Sequence, residues 1–140
     1  MAENKVHIRI ITPEEVKVDE PADLVIMRCT TGDMGVLPGH EPRSAVLNYG
    51  ALRIITGRLE RRIAVYGGLA TIQDDVLTVL AHDAEWPEDI DIDRANTDRE
   101  HAEQRLQERT DDIELQNDQL LLRRALVQIE VSSYTIDQSD

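Results

Sequence analysis

The chain has 140 residues and carries 15 Lys and Arg against 28 Asp and Glu, a formal net charge of −13 at pH 7. Such acidity argues against binding to free nucleic acid or to an anionic membrane surface, because both require clustered cations. No apolar run approaches the roughly 20 residues that span a bilayer, and the N-terminus shows no signal-peptide core. We therefore expect a soluble protein that stays on the side of the membrane where it is made.

The acidic charge is unevenly distributed along the chain. Residues 1–84 hold 9 Lys and Arg against 12 Asp and Glu, whereas residues 85–140 hold 6 Arg against 16 Asp and Glu. A change in composition of this size predicts a domain boundary near residue 85. We expect a β domain over residues 1–84, and a linker with a helical hairpin over residues 85–140.

The early part of the chain shows the two-residue alternation of half-buried strands. The predicted strands cover residues 5–11, 16–18, 24–28, 51–55, 62–66, 69–72 and 76–80. Thr56, Gly57 and Arg58 form a hairpin turn between two of them, and Gly67 and Gly68 interrupt the next pair. Seven or more short strands with regular turns indicate an antiparallel β-sandwich or barrel.

Residues 32–42 contain three glycines and two prolines between apolar runs. Glycine permits backbone angles that a side chain forbids, and proline fixes φ while removing an N–H donor. This composition predicts a rigid, shaped surface loop.

The period of the apolar residues changes after Trp86 and Pro87. Asp91 or Asp93 is expected to cap a helix that begins near Arg94. The apolar positions of this helix repeat at steps of three and four: Ala95, Ala102 and Leu106. Residues 110–112 supply a break and a new N-cap, and a second helix follows over residues 113–131. Its predicted apolar stripe is Leu115, Leu122, Ala125, Leu126 and Ile129.

Two amphipathic helices joined by so short a link make an antiparallel hairpin. The fold class is therefore α+β, an antiparallel β-sandwich or barrel followed by a two-helix hairpin. Because the helices have thin apolar stripes, they must dock on another surface to be stable, which predicts a mobile arm.

Cysteine and histidine usage argues against a disulfide, a metal site or a catalytic centre. Cys29 is the single cysteine, and it shares a strand face with Val25 and Met27, so it is expected to be buried. The four histidines are scattered, and the glycine-rich segment lacks the lysine of a P-loop. We expect a non-catalytic protein with no metal.

Three motifs in this order resemble the epsilon subunit of bacterial F-type ATP synthases: residues 32–42, residues 66–68 and residues 88–95. The similarity spans residues 6–131. It implies a non-catalytic rotor subunit of the central stalk, with a sandwich that contacts the gamma subunit and the ring of c subunits. Asp33 and His40 match the family positions that face the c ring. The location implied is peripheral, on the cytoplasmic face of the bacterial cell membrane.

In that family the hairpin either folds onto the sandwich or extends along gamma into the catalytic alpha/beta hexamer, where it blocks rotation. The folded form of several bacterial members binds ATP as a regulatory ligand, and no cofactor is required. Residues 90–95 fit the signature of these members. The ATP ligands carried over by the resemblance are Glu85, Asp91, Arg94, Ala95 and Arg124. Two positions depart from the pattern, because His101 and Gln128 stand where ATP-binding members have arginines.

The residues alone leave other interpretations open. Asp91 could serve only as a helix cap, Arg94 could pair with a nearby carboxylate, and His40 could be a surface histidine with no partner. Two alternative functions also remain at this stage: a free-standing adaptor that uses the hairpin as an arm, and a soluble ATP-sensing module.

Overall fold

The computed structural model describes residues 4–108 and 111–134 of the chain. Within these residues the strands are β1 (Val6–Ile11), β2 (Val16–Ala22), β3 (Leu24–Cys29), β4 (Gly32–Val36), β5 (Arg43–Thr56), β6 (Leu59–Gln73), β7 (Val76–Ala81) and β8 (Ala84–Glu85). A 3-10 turn over Pro87–Asp89 leads into the helices α1 (Ile92–Gln107) and α2 (Asp112–Ser133).

The strands form a single open sheet that wraps around one core. Its order is β2-β1-β7-β6-β5-β3-β4, with β8 paired to β6. The long strands β5 and β6 pair over almost their whole length and join the two halves of the sandwich. All pairs are antiparallel except β1 with β7. The predicted β-sandwich followed by a two-helix hairpin is confirmed, with this one parallel pair added.

The core is aliphatic and follows the predicted alternation. Val6, Ile8 and Ile10 of β1 have no exposed surface, whereas the residues between them are half-buried. Cys29 is buried in the same core, as its position beside Met27 predicts. Alternation therefore places one face of each strand inside, which buries apolar area that stabilises the fold.

The glycine-rich segment differs from its predicted loop structure. Its first half, Gly32–Val36, is strand β4, which pairs with β3 at the edge of the sheet. An edge strand is paired on one side, so it tolerates glycines that would weaken a central strand. The prediction of a loop was wrong for this half, and residues 37–42 form the connection to β5.

The prediction that the two adjacent glycines of β6 interrupt the strand was wrong, because β6 is continuous from Leu59 to Gln73. A Cβ on Gly68 would lie 2.3 Å from the carbonyl oxygen of Leu80, and its φ of 148° is rarely adopted by other residues. Gly68 therefore lets the backbones of β6 and β7 approach closely while the ladder continues. Strand β5 also begins earlier than predicted, at Arg43.

The predicted helix starts are confirmed by their caps. The Asp91 carboxylate accepts a hydrogen bond from the backbone N–H of Arg94, and the Asp111 carboxylate accepts one from Glu114. These bonds satisfy N–H groups that the first helical turn leaves unpaired. The predicted break begins at Thr110, which lies outside the described residues.

The predicted stripe of α1 is confirmed at Ala95 and Ala102, which are buried. The predicted apolar stripe of α2 is wrong in part. The residues of α2 that are buried are Asp118, Ala125, Val127 and Val131. Leu126, which was predicted to belong to the stripe, is 47% exposed. The reason is that α2 packs on α1 along one face and on β5 and β6 along another, so no single stripe describes it.

None of the helices in the described part of the chain is long and apolar enough to cross a membrane.

Candidate functional site

The C-terminal half of α2 lies on the outer face of β5 and β6, where it forms a small apolar cluster of its own. The members of this cluster are Ala51, Ala64, Tyr66, Val127 and Val131, with Tyr49 and Ile90 packed against them. Most of these side chains are small, so the apolar area that holds the hairpin down is modest. Polar contacts at the margins of the cluster therefore matter for the position of α2.

A cleft of about 350 Å³ opens between the end of the sandwich and the two helices. It is lined by Glu85, Asp89, Asp91, Arg94, Ala95, Asp98, Leu121, Arg124 and Gln128. All five residues that the resemblance implies as ATP ligands are among them. The fold thus brings together Glu85 and Arg124, which are 39 positions apart in the sequence.

A polar network at one wall of this cleft is centred on a single carboxylate oxygen. Oε1 of Glu85 accepts hydrogen bonds from the Tyr66 hydroxyl at 2.5 Å, from Nε2 of Gln128 at 3.0 Å and from Nη2 of Arg124 at 3.3 Å. Arg124 also contacts Oδ2 of Asp83 at 3.1 Å, and its guanidinium lies 3.9 Å from the centroid of the Tyr66 ring. Arg124 is therefore already neutralised by the protein.

Burial, followed by the hydrogen bond to the Glu85 carboxylate, raises the pKa of Tyr66 far above its ordinary value. Both effects disfavour the phenolate, because burial removes the charged form from water and the hydrogen bond to Glu85 requires the phenol proton. Repulsion between the phenolate and the Glu85 carboxylate adds to them. The Tyr66 hydroxyl consequently remains a hydrogen-bond donor throughout the pH range in which proteins are handled.

The other wall of the cleft is formed by the start of α1. The Arg94 side chain is 80% exposed, with its Nε 3.9 Å from Oδ2 of Asp98. This long, exposed contact contributes little energy, so the guanidinium can turn into the cleft at small cost. Asp91 caps the helix with its carboxylate. Both structural roles that the sequence left open, the cap and the pairing of Arg94, are present in the molecule.

Four carboxylates and two guanidiniums line the cleft, so its formal charge is negative. Gln128, one of the two departures from the family pattern, lies in the cleft, whereas His101 lines a separate depression with Arg105. Sequence reasoning missed Asp98 as a lining residue, although its position four residues after Arg94 places both on one helix face. It also missed Asp83 and Tyr66 as partners of Arg124, and no local signal connects them.

The two residues implied as c-ring contacts lie in different parts of the glycine-rich segment. Asp33 is exposed on β4, opposite Arg28 in the ladder, and its Oδ1 lies 3.9 Å from Nε of Arg28. His40 is half-buried in the connection after β4, with Nδ1 2.8 Å from the carbonyl oxygen of Glu41. This connection is fixed by the backbone N–H of Gly39, which donates to Oδ1 of Asp75.

Comparison with known families gives a match along almost the whole described chain. The β-sandwich domain of the ATP synthase delta/epsilon chain matches residues 5–87, and the long α-helix domain of the same chain matches residues 88–133. The ATP synthase epsilon chain of Halalkalibacterium halodurans is 36% identical over 127 residues, which are 90% of this chain and 96% of that one. The ATP synthase epsilon chain of Syntrophobacter fumaroxidans is 39% identical over 135 residues, 96% of this chain and 100% of that one.

Among solved structures, a chain in the OSCP/F1/c-ring part of the Euglena gracilis mitochondrial ATP synthase has the same fold. Its TM-score is 0.81 at 22% identity, with 96% of this chain and 84% of that chain covered. The class of protein that this fold defines is a β-sandwich with a two-helix hairpin docked on it. The chain belongs to the delta/epsilon chain family of ATP synthase, which makes it a non-catalytic subunit of an F-type, membrane-associated enzyme.

Proposed function

We propose that the chain works in the central stalk, where its sandwich joins the gamma subunit to the ring of c subunits. Family membership supports this proposal over a free-standing adaptor. Two structural neighbours come from assemblies described as F1/c-ring and central stalk/c-ring. The location that follows is peripheral, on the cytoplasmic face of a bacterial cell membrane, held there by the complex.

The observation that carries this proposal is an uncovered row of aliphatic side chains across the sandwich. Val46, Leu69 and Leu80 stand directly opposite one another on β5, β6 and β7. They are 55%, 43% and 53% exposed. The row continues through Ile11 to Val16, which is also exposed. A contiguous apolar surface of this kind marks an interface with a protein partner, and the gamma subunit is its occupant in the proposed function.

A polar substitution in this row tests the proposal. Leu69→Ser should weaken co-purification of the chain with the gamma subunit, because it places a hydroxyl at the centre of the apolar contact. Leu59→Ser is the matched control, since Leu59 is equally exposed but lies at the β5–β6 turn. Equal binding of gamma by both variants would contradict the proposed surface.

Strand β4 and the connection that follows it are the proposed contact with the c ring, through Asp33 on the strand and His40 in the connection. The exposure of Asp33 and the position of His40 in a fixed surface connection support this assignment. Cysteines introduced at the two positions should form crosslinks to the polar loops of the c subunits in assembled enzyme. Crosslinks to gamma alone would argue against it.

ATP is the proposed regulatory ligand of the cleft. The support is that Glu85, Asp91, Arg94, Ala95 and Arg124 line one cavity. Arg94 is exposed and its contact with Asp98 is long, so its guanidinium is available to a phosphate. Arg124, by contrast, must exchange Glu85 and Asp83 for phosphate oxygens. Because the cleft is acidic, ATP binding is expected to be weak, and Mg²⁺ should assist it by reducing the charge of the triphosphate.

Calorimetric titration of the isolated chain with ATP, with and without Mg²⁺, tests whether ATP binds in the cleft. Saturable heat is expected from the wild type and should vanish in Arg94→Ala. Arg123→Ala is the matched control, because Arg123 is exposed on α2 and does not line the cleft. An absence of heat in the wild type at millimolar ATP would mean that ATP does not regulate this chain through the cleft.

The hairpin is the proposed brake, which extends along gamma into the catalytic alpha/beta hexamer. Its small apolar contact with the sandwich supports an arm that can lift. Removal of residues 88–140 should leave gamma binding intact and raise ATP hydrolysis by the assembled enzyme. Loss of assembly in this truncation would contradict the division into a docking domain and a regulatory arm.

A further inference from the structure

A second polar contact fixes α2 to the sandwich, on the side away from the cleft. Nη1 and Nη2 of Arg28, on β3, donate to the two carboxylate oxygens of Glu130, each at 3.3 Å. Paired, parallel hydrogen bonds of this kind are the most directional contact that an arginine can make with a carboxylate. The two residues are 102 positions apart, so the pair joins the sandwich to the last turns of the hairpin.

Gly50 explains how Arg28 reaches the helix. A Cβ at position 50 would lie 2.7 Å from both Cβ and Cδ of Arg28, which is closer than real atoms approach. The arginine stem therefore lies flat over the glycine of β5 before its guanidinium meets Glu130. Glycine at this position provides the space for a side chain that crosses the neighbouring strand.

Arg28 also has a second carboxylate within reach. Oδ1 of Asp33 lies 3.9 Å from its Nε, on the sandwich itself. If α2 lifts and takes Glu130 away, Arg28 keeps Asp33 as a partner. The contact can therefore open without leaving an unpaired cation, which keeps the cost of lifting low.

We propose that Arg28 and Glu130 form a clasp over Gly50 that sets how much of the time the hairpin lies on the sandwich, without any nucleotide. The clasp lies outside the cleft and shares no residue with it. The inference rests on the proposed function only in that the hairpin is a movable arm. Failure of ATP binding or of gamma binding would leave it unaffected.

Thiol labelling of the isolated chain measures the open fraction. Val131 is fully buried between α2 and the sandwich, so Val131→Cys reacts only when the hairpin lifts. Cys29 is replaced by Ala in this background. In a parallel chain that keeps Cys29 and Val131, the buried Cys29 thiol reports opening of the sandwich itself.

Glu130→Gln should raise the labelling rate of residue 131 by about two- to five-fold, the range expected for a well-formed, partly exposed ion pair. Arg28→Met should have a similar effect, and the double variant should label no faster than the faster single variant. Labelling of Cys29 should stay unchanged. High salt should speed labelling of the chain with an intact clasp and leave the double variant unaffected.

Glu103→Gln provides the matched control, because it removes the same charge from an ion pair that lies within α1. If residue 131 is labelled no faster in the Glu130→Gln variant than in the Glu103→Gln variant, the proposed clasp is wrong. Independent effects that multiply in the double variant would also overturn it, since they would mean that the two residues act separately. A rise in Cys29 labelling would assign the effect to sandwich unfolding and reject the clasp.

Discussion

The Tyr66 hydroxyl donates a hydrogen bond to Oε1 of Glu85 across 2.5 Å, and the same oxygen accepts from Gln128. Tyr66 belongs to β6, Glu85 to β8 and Gln128 to α2, so one oxygen joins a long central strand of the sheet, the last strand and the hairpin. The raised pKa of Tyr66 keeps the phenol protonated and able to donate. This oxygen is therefore the point where the position of the hairpin and the shape of the cleft are coupled.

Replacement of Tyr66 by Phe should lower the free energy of unfolding by about 1 kcal/mol, the usual net value of one hydrogen bond. The ring stays in place, and Glu85 keeps Gln128 and Arg124 as partners, so a larger loss is not expected. Urea unfolding followed by circular dichroism measures the difference. Tyr49→Phe is the control, because the Tyr49 ring packs edge-on against Tyr66 at 5.8 Å. An equal effect of both substitutions would contradict the special role of the Tyr66 hydroxyl.

The features that the sequence predicted well depend on neighbouring residues. Alternation at Val6, Ile8 and Ile10 identifies β1, and aspartates placed just before apolar periods identify both helix caps. The features that it predicted wrongly depend on distant contacts. The local sequence around Gly68 predicts a break in the strand, but the role of this glycine is set by the backbone of β7, which pairs with β6. The buried face of α2 is likewise set by two packing partners at once.

The candidate site shows the same division. Asp91, Arg94 and Ala95 form one continuous motif, so a sequence pattern finds them. Their grouping with Glu85 and Arg124 came from the family resemblance, and the fold places all five in one cleft. The internal partners of Arg124 could not be predicted, because contacts between side chains 39 and 41 positions apart arise only once the hairpin packs on the sandwich.

An arginine at position 128 should tighten ATP binding. Gln128 lines the cleft beside Arg124, and a charged hydrogen bond to phosphate contributes about 1.5–3 kcal/mol, so Gln128→Arg should improve the affinity about tenfold or more. Calorimetry with ATP measures the change. Gln116→Arg adds the same charge on an exposed face of α2 and should have little effect. A similar gain in both variants would indicate general attraction to an added cation instead of a contact in the cleft.

Substitution of Gly68 by Ala should strongly destabilise the sandwich. Its Cβ would meet the carbonyl oxygen of Leu80 at 2.3 Å, and backbone atoms cannot move away as a flexible side chain would. Strain of this kind costs of order 1–3 kcal/mol for the backbone angle alone. Thermal unfolding should show a clear fall in midpoint. Gly35→Ala is the control, because its Cβ would make an ordinary contact at 3.6 Å with Leu24. Equal midpoints for the two variants would contradict the close approach of β6 and β7.

The sandwich should lose stability in acid as the Glu60 carboxylate becomes protonated and its contribution to stability is lost. Nε and Nη2 of Arg53 donate to it at 2.9 Å, Nε of Arg62 donates at 2.8 Å, and the Glu60 side chain is only 18% exposed. The pKa of Glu60 is held below its ordinary value of 4.5 chiefly by the two hydrogen bonds from Arg53 and, to a smaller extent, by the one from Arg62. Burial of the carboxylate opposes this effect. Asp19 and Asp23 also have lowered pKa values, through hydrogen bonds from His7 and Lys5, so Glu60 must be tested by substitution.

Because the pKa of Glu60 is lower in the folded chain than in the unfolded chain, its pairing stabilises the fold fully above the unfolded pKa. That stability is lost as the pH falls through the folded pKa. Glu60→Gln should therefore be less stable than the wild type at about pH 7. The difference should shrink as the pH falls below the ordinary Glu pKa of 4.5 and through the lower pKa of the folded chain. Urea unfolding at a series of pH values measures both curves, with Glu103→Gln as the control for loss of an exposed carboxylate. A difference that stays constant over this range would mean that the ionised state of Glu60 does not contribute, and that its effect on stability comes from packing alone.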